Sequence, residues 1–135
     1  MRNVLVFAQY EGLSGASTVT PVVDGVSLID HAKTAGVTGV DGLVPSFFDY
    51  GRLQDYFKGV GDFTCRPGLP DHVAVLVCRC GNLECNDLLA RIRKDGDLVR
   101  WDDFRAQDGS LSLPDLGPFE FDRRQYEAAV AALAT

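Results

Sequence analysis

The residues with the clearest chemical potential are the four cysteines, Cys65, Cys78, Cys80 and Cys85. Residues two apart in a strand project to the same face, so Cys78 and Cys80 should lie together. Gly81-Asn82 fits a two-residue hairpin turn. That turn places Cys85 opposite Cys78, with their Cβ atoms about 4.5 to 5.5 Å apart. Cys65 lies in the preceding loop and completes a set of four thiolates that would close a structural zinc site. No organic cofactor is expected.

Three other interpretations of the cysteines stay open. Reduced cysteines often act as small, half-buried hydrophobic residues. A Cys78–Cys85 disulfide across the hairpin is a second alternative, although a reducing compartment disfavours it. A redox pair of Cys78 and Cys80 is a third, and it needs positive charge nearby. Arg91 and Arg93 share the predicted thiol face and would supply that charge.

Two turns predict how the strands around these cysteines align. The apolar run from His72 to Cys80 is typical of a central strand. A second turn at Asp95-Gly96 pairs Ile92 with Val99 and Ala90 with Trp101. Both turns place one set of residues on a common face: Val73, Val75, Leu88, Ala90, Ile92, Val99 and Trp101. This agreement predicts a three-stranded antiparallel meander.

The N-terminal half predicts strands at 3–9 and 18–23, the latter followed by an Asp24-Gly25 turn. A helix is expected from Ser27, which has the form of an N-cap, to a stop at Gly36. A second short helix should follow Ser46, and residues 60–71 read as a loop because glycine and proline interrupt any periodicity.

The C-terminal end predicts a last strand at 119–121 and a helix capped by Asp122. Gln125 occupies the third helical position, as in a capping box, and Phe121 should pack against Tyr126. Tyr126 also begins the buried stripe of this helix. The expected fold is α+β: an antiparallel sheet with the central meander, helices mainly on one face, and the C-terminal helix packed on the sheet.

Charged residues near the meander offer weaker candidates for a site. Arg91, Arg93 and Arg100 fall on the face away from Trp101, with Arg91 opposite Arg100 unless Asp102 or an anion intervenes. The functional interpretation is a patch for a small anion or an acidic partner. The alternative is a solvated strand face.

The remaining polar residues do not assemble a catalytic group. Asp102 and Asp103 are neighbours on a strand and point to opposite faces, so they are predicted to be strand-end residues rather than an acid/base pair. His72 lies six positions before Cys78, roughly 20 Å along an extended chain. His31 is expected on a helix surface.

The length and the net charge of the chain limit which classes of protein it can belong to. The chain has 135 residues, of which 46% are hydrophobic, and its formal net charge is −6. Such a chain is expected to fold as one domain over residues 1–135. It lacks an apolar run long enough for a membrane span and an N-terminal secretory pattern, so we expect a cytoplasmic protein with no membrane partner. The negative charge argues against nucleic acid as a partner.

Three motifs carry a resemblance: Cys78-x-Cys80-Gly81-x-x-x-Cys85, Trp101-x-Asp103-Phe104, and the run that begins at Phe119-x-Phe121-Asp122 and continues through Gln125-Tyr126-Glu127. On these residues the C-terminal half resembles a group of small uncharacterised bacterial proteins. The resemblance covers about half of the chain, and it implies no activity.

The resulting function hypothesis is a small interaction or binding domain that carries the cysteine cluster. An immunity-type protein that neutralises a partner fits the size, and the acidic charge suits a basic partner. The alternative is a thiol-dependent enzyme or redox protein using Cys78, Cys80 and Cys85, with at least one thiol of depressed pKa.

The zinc hypothesis makes a direct prediction. Protein purified without added metal should contain one zinc ion per chain, and a chelator should lower its stability because binding energy is part of folding energy. Elemental analysis measures the metal, and alkylation near neutral pH separates the alternatives. Metal-free protein with one rapidly alkylated cysteine would instead favour the thiol enzyme.

Overall fold

The computed structural model describes residues 2–11, 17–43, 57, 72–78, 87–106 and 110–133. Within these ranges the chain forms nine strands and two helices. Their bounds are β1 Leu5–Glu11, β2 Ser17–Val23, β3 Val26–Ser27, α1 Leu28–Thr34, β4 Val40–Asp41, β5 His72–Cys78, β6 Leu88–Asp95, β7 Leu98–Ala106, β8 Leu111–Ser112, β9 Phe119–Asp122 and α2 Arg123–Ala131.

The N-terminal strands form a small antiparallel sheet in the order β1-β2-β3. Asp24 and Gly25 join β2 to β3 with φ values of 54° and 79°, so both residues adopt the left-handed conformation that a primed hairpin turn requires. The Asp24 carboxylate stabilises this turn by accepting hydrogen bonds from the Val4 N–H at 2.8 Å and the Asn3 side-chain amide at 2.6 Å. The predicted turn is therefore confirmed.

Helix α1 begins and ends where the sequence predicts. The Ser27 hydroxyl accepts a hydrogen bond from the Ile29 N–H at 3.2 Å. At the other end, Gly36 has a φ of 95°, and its N–H donates to the Lys33 carbonyl. The Val37 N–H reaches back to Ala32 at 2.8 Å, which completes a Schellman motif.

The larger sheet has the order β4-β5-β6-β7-β8, and β9 also pairs with β7. The pairings of its strands are antiparallel. A bridge between Val19 and Leu43 connects the small sheet to the segment after β4. The antiparallel sheets and two helices confirm the α+β class. Neither described helix has the length and apolar character needed to cross a membrane.

The hairpin between β6 and β7 turns one position later than the sequence analysis predicts. Asp95 pairs with Leu98, so Gly96 and Asp97 form the turn, and Gly96 has a φ of 58°. A glycine with positive φ at the first turn position is typical of a type II′ hairpin. Trp101 therefore lies opposite Ile92, and the predicted partnership of Trp101 with Ala90 is wrong. The register shift is two residues, so Trp101 keeps its predicted face.

A bulge in β5 changes the predicted register toward the cysteines. Val73 pairs with Ala90 as predicted, but Leu76 rather than Val75 lies opposite Leu88. The prediction that Val75 faces Leu88 is therefore wrong. The pairing of Cys78 with Cys85 is predicted from the Gly81-Asn82 turn and stays a prediction. Residues 79–86 lie outside the described residues, as do the helix expected after Ser46 and the loop at 60–71.

Helix α2 packs on the inner face of the larger sheet. Asp122 caps it by accepting hydrogen bonds from the Arg124 and Gln125 N–H groups at 3.0 and 3.3 Å. Tyr126 and Val130 are fully buried, and the Tyr126 ring lies 5.6 Å from that of Phe121. The cap, the buried stripe and the packing of the C-terminal helix on the sheet are confirmed.

The Gln125 side chain has a different role from the predicted capping box. It donates a hydrogen bond to the Leu5 carbonyl and accepts one from the Leu5 N–H at 3.0 Å. The amide thus satisfies the backbone of β1 as a neighbouring strand would, and it ties the first turn of α2 to β1.

A hydrogen-bonded aromatic group occupies the centre of the core. The Trp101 Nε1–H donates to the Tyr126 hydroxyl at 3.2 Å, and that hydroxyl donates to the Phe57 carbonyl. Phe57 also stacks on Trp101, with 6.0 Å between ring centroids. Burial raises the pKa of Tyr126 well above its ordinary value, whereas the Trp101 hydrogen bond opposes that rise. The hydroxyl therefore stays neutral and available as a donor.

Substitution Tyr126→Phe should lower the free energy of unfolding by about 1–3 kcal/mol, because it leaves a buried indole N–H and a carbonyl without their partner. Urea unfolding measures the change. The double variant with Trp101→Phe, which also removes the orphaned N–H, should cost less than the sum of the two single changes. Strict additivity would contradict this role of the hydroxyl.

Candidate functional site

Three arginines converge on one carboxylate on the outer face of the larger sheet. Asp102 accepts hydrogen bonds from Arg91 Nε at 2.8 Å, from Arg93 Nη2 at 2.6 Å and from Arg100 Nε at 3.1 Å. Arg100 Nη1 also lies 3.6 Å from Glu120 Oε2 on β9. Asp102 is buried, with 10% of its side chain exposed, whereas the arginine side chains are 34 to 48% exposed.

Cross-strand pairing explains why these side chains meet. His72, Arg91 and Asp102 form one row across β5, β6 and β7. Arg93 and Arg100 form the neighbouring row. The prediction that these three arginines lie on the face away from Trp101 is consistent with this geometry. The prediction that Arg91 lies opposite Arg100 is wrong, because the turn one position later brings Asp102 opposite Arg91 instead.

A second bulge, in β7, brings Asp103 to the same face. The register shifts between Leu89 and Arg91, and Asp103 adopts a φ of 48° that non-glycine residues rarely use. Its carboxylate lies 3.0 Å from His72 Nε2 and accepts a hydrogen bond from Arg105 Nε at 3.2 Å. Asp102 and Asp103 therefore lie inside a strand and on one face. The predictions of strand-end residues and of opposite faces are both wrong.

The arginines keep both aspartates ionised. Partial burial works to raise the pKa of Asp102, but hydrogen bonds and positive charge from Arg91 and Arg93 outweigh it and hold that pKa below its ordinary value. The pKa of Asp103 is likewise lowered: burial opposes the shift, and Arg105 and then His72 produce it. Each carboxylate therefore acts as a fixed negative charge between guanidinium groups.

We name this surface the arginine face and define it by His72, Arg91, Arg93, Arg100, Asp102, Asp103, Arg105 and Glu120. Leaving His72 aside, its four arginines exceed its three carboxylates by one positive charge, although the whole chain carries −6. The deeper position of Asp102 leaves the guanidinium groups nearest to solvent. Guanidinium groups fixed in this way suit recognition of carboxylate or phosphate oxygens.

The structure places the predicted cysteine site only in part. The backbone of Cys78 ends β5 and pairs with Val40 of β4. Cys65, Cys80 and Cys85 lie outside the described residues, so their assembly stays a prediction. Within the described ranges, no three His, Cys, Asp or Glu side chains are grouped so that they could hold a metal ion.

The histidines have separate structural surroundings. His72 is buried at the start of β5 beside Asp103. His31 on α1 lies with its Nε2 3.1 Å from the Val23 carbonyl and its ring 5.3 Å from Phe119. His31 therefore connects α1 to β2 and β9.

Sequence reasoning names Asp102 only as a group that could separate Arg91 from Arg100. It misses the contribution of Asp103, Arg105 and His72. The signal for Asp102 is the Arg-x-Asp spacing of residues 100–102 next to the Arg-x-Arg spacing of 91–93. Placing the turn at Gly96-Asp97 aligns those two pairs. Comparison of the chain with family models, with curated proteins and with solved structures gives no significant match.

The substitution Asp102→Asn should lower the free energy of unfolding at neutral pH by about 1–2 kcal/mol, since the arginines then repel one another and their exposure screens part of the effect. A carboxylate of lowered pKa stabilises the fold above its unfolded pKa and stops doing so as pH falls through the folded pKa. The difference from the native protein should therefore be constant above about pH 5 and shrink below about pH 4.

Urea unfolding between about pH 2.5 and 7 measures this dependence. Asp95→Asn is the matched control: it removes the same charge from an exposed residue at the end of β6 and should change stability by less than about 0.5 kcal/mol. A difference for Asp102→Asn that persists unchanged at low pH would contradict the ion-pair explanation.

Proposed function

We propose that this protein is a small binding domain whose arginine face contacts an acidic segment of a partner protein. The observation that carries the proposal is the bonding of Arg91, Arg93 and Arg100 to the single, buried Asp102. This contact holds three cations in place on the outside of a sheet whose other face is filled by the core.

Preorganisation is what separates this face from an ordinary charged surface. A long arginine side chain normally loses conformational entropy when it binds. Here Asp102 already restrains each guanidinium group with one hydrogen bond. Arg93 uses only its Nη2 in that contact, and nearly half of the side chain is exposed. The other nitrogens of such a group are placed to donate hydrogen bonds to a second carboxylate.

The sign of the local charge decides the chemistry of the proposed partner. The net charge of −6 favours a basic partner for an immunity-type protein. At short range, however, contacts depend on the groups within about a Debye length, roughly 10 Å at ordinary ionic strength. The arginine face is positive on that scale, so the segment that contacts it should be acidic.

The experiment uses a fluorescent eight-residue peptide of alternating glutamate and serine, with a lysine-serine peptide for comparison. The native protein should bind the acidic peptide more tightly, and binding should weaken when NaCl rises from about 20 to about 200 mM. Arg93→Gln should weaken binding by about fivefold, the equivalent of roughly 1 kcal/mol. Fluorescence anisotropy measures these affinities.

Lys94→Gln is the matched control. Lys94 is the next residue along β6, is exposed, and pairs with Val99 on the opposite face. The substitution Lys94→Gln removes the same charge from the chain but should change the affinity for the acidic peptide less than twofold. Equal losses for Arg93→Gln and Lys94→Gln would mean that only net charge matters, and the proposal would then be wrong.

A further inference from the structure

We propose that the outer edge of β1 is a docking site for an extended segment of a partner protein, which pairs with β1 as an added strand. The site lies between β1 and the C-terminal half of α2, and it does not depend on the arginine face. Strand addition uses main-chain hydrogen bonds for affinity and a side-chain pocket for specificity.

Three contacts establish which backbone groups of β1 point outward. The Asp24 N–H donates to the Val4 carbonyl at 2.9 Å, so residue 4 bonds toward β2. Leu5 bonds to Gln125 instead, and Val19, opposite Gln9, exchanges hydrogen bonds with Leu43. Because antiparallel pairs alternate along a strand, the N–H and C=O groups of Phe7 and Gln9 point away from β2.

The Gln125 amide shows what this edge accepts. It occupies the position of a strand residue beside Leu5 and makes both hydrogen bonds that such a residue would make. Beyond Leu5 the edge continues, and in the described part of the chain no hydrogen bond reaches the outward groups of Phe7 and Gln9. An added strand would therefore begin where the Gln125 side chain ends.

Among the described residues, the stretch of this edge beyond Leu5 lacks several features that usually protect an edge strand. Its sequence, LVFAQYE, contains neither lysine nor proline, and its seven residues pair with β2 without a bulge. The side chains of Val4 and Val6 are each 51% exposed. Unprotected edges of this kind are templates for pairing with another chain.

The lining of a groove beside this edge indicates which side chain the docked segment should carry. It has a volume of about 260 Å³ and is lined by Val6, Phe7, Gln9, Ala129, Ala132 and Leu133. The two alanines leave space for one side chain of an added strand, and the surrounding carbon atoms favour an apolar one.

A second copy of this chain fits the groove less well. Gln125 occupies the edge at Leu5, so two antiparallel copies of β1 would pair through the outward groups of Phe7 and Gln9. Paired residues share a face, so Gln9 of the second copy would then lie over the alanines. Its polar amide would lose hydration there. The segment we infer belongs to a different protein and carries an apolar residue at the position over Ala129 and Ala132.

The test uses a fluorescent seven-residue peptide of alternating threonine and valine, and the same peptide with aspartate in place of its central valine. The native protein should bind the first at least tenfold more tightly. Gln9→Pro should weaken that binding at least tenfold, because proline lacks the outward N–H and places its ring in the path of the strand. Proline is tolerated at such a position because the lost donor does not pair with β2.

Gln9→Ala keeps the backbone N–H and should bind within about twofold of the native protein. Amide hydrogen exchange provides a second measurement: the peptide should slow exchange at Phe7 and Gln9 and leave Ala8 unchanged. Equal binding to Gln9→Pro, or no difference between the two peptides, would overturn the proposal. Dimerisation of the native chain that Gln9→Pro abolishes would also overturn it, since the occupant would then be a second copy.

Discussion

The register between β6 and β7 is the constraint on which both faces of the larger sheet depend. Pairing of Asp95 with Leu98 sets Ile92 opposite Trp101 and Arg91 opposite Asp102. The first pair contributes to the core, and the second contributes to the charged exterior. A shift by one residue would exchange the two faces and place arginines against Tyr126, so the core and the ion pairs select the same alignment.

Local signals in the sequence predict much of the fold because they act over a few residues. The caps at Ser27 and Asp122, the stop at Gly36 and the Asp24-Gly25 turn all depend on neighbours within one turn of chain. The two bulges could not be predicted in this way. No residue type near Val75 indicates the bulge in β5. The bulge in β7 is recognised only from the positive φ of Asp103, which is a property of the folded backbone.

The candidate site could be predicted only where it depends on local signals. The face of each arginine is such a feature, and the residue opposite each arginine is not. Alternation along β6 places Arg91 and Arg93 on one face. The predicted turn places Arg100 on that face too, because its error shifts the register by two residues and leaves the faces unchanged. The identity of the residue opposite each arginine depends on the turn, which lies one position beyond the predicted one. The sequence therefore predicts Asp102 at the end of a strand, whereas in the structure it binds three guanidinium groups. The cysteine site depends on residues outside the described ranges and stays a prediction.

The Gln125 amide beside Leu5 has a consequence for the behaviour of this protein at high concentration. Fibrils grow when identical strands stack without interruption along an axis, with every backbone group passed on to the next molecule. A side chain that occupies one site of the strand, as Gln125 does at Leu5, breaks that translational repeat. The proposed docking site at Phe7 and Gln9 is thus compatible with resistance to open-ended polymerisation.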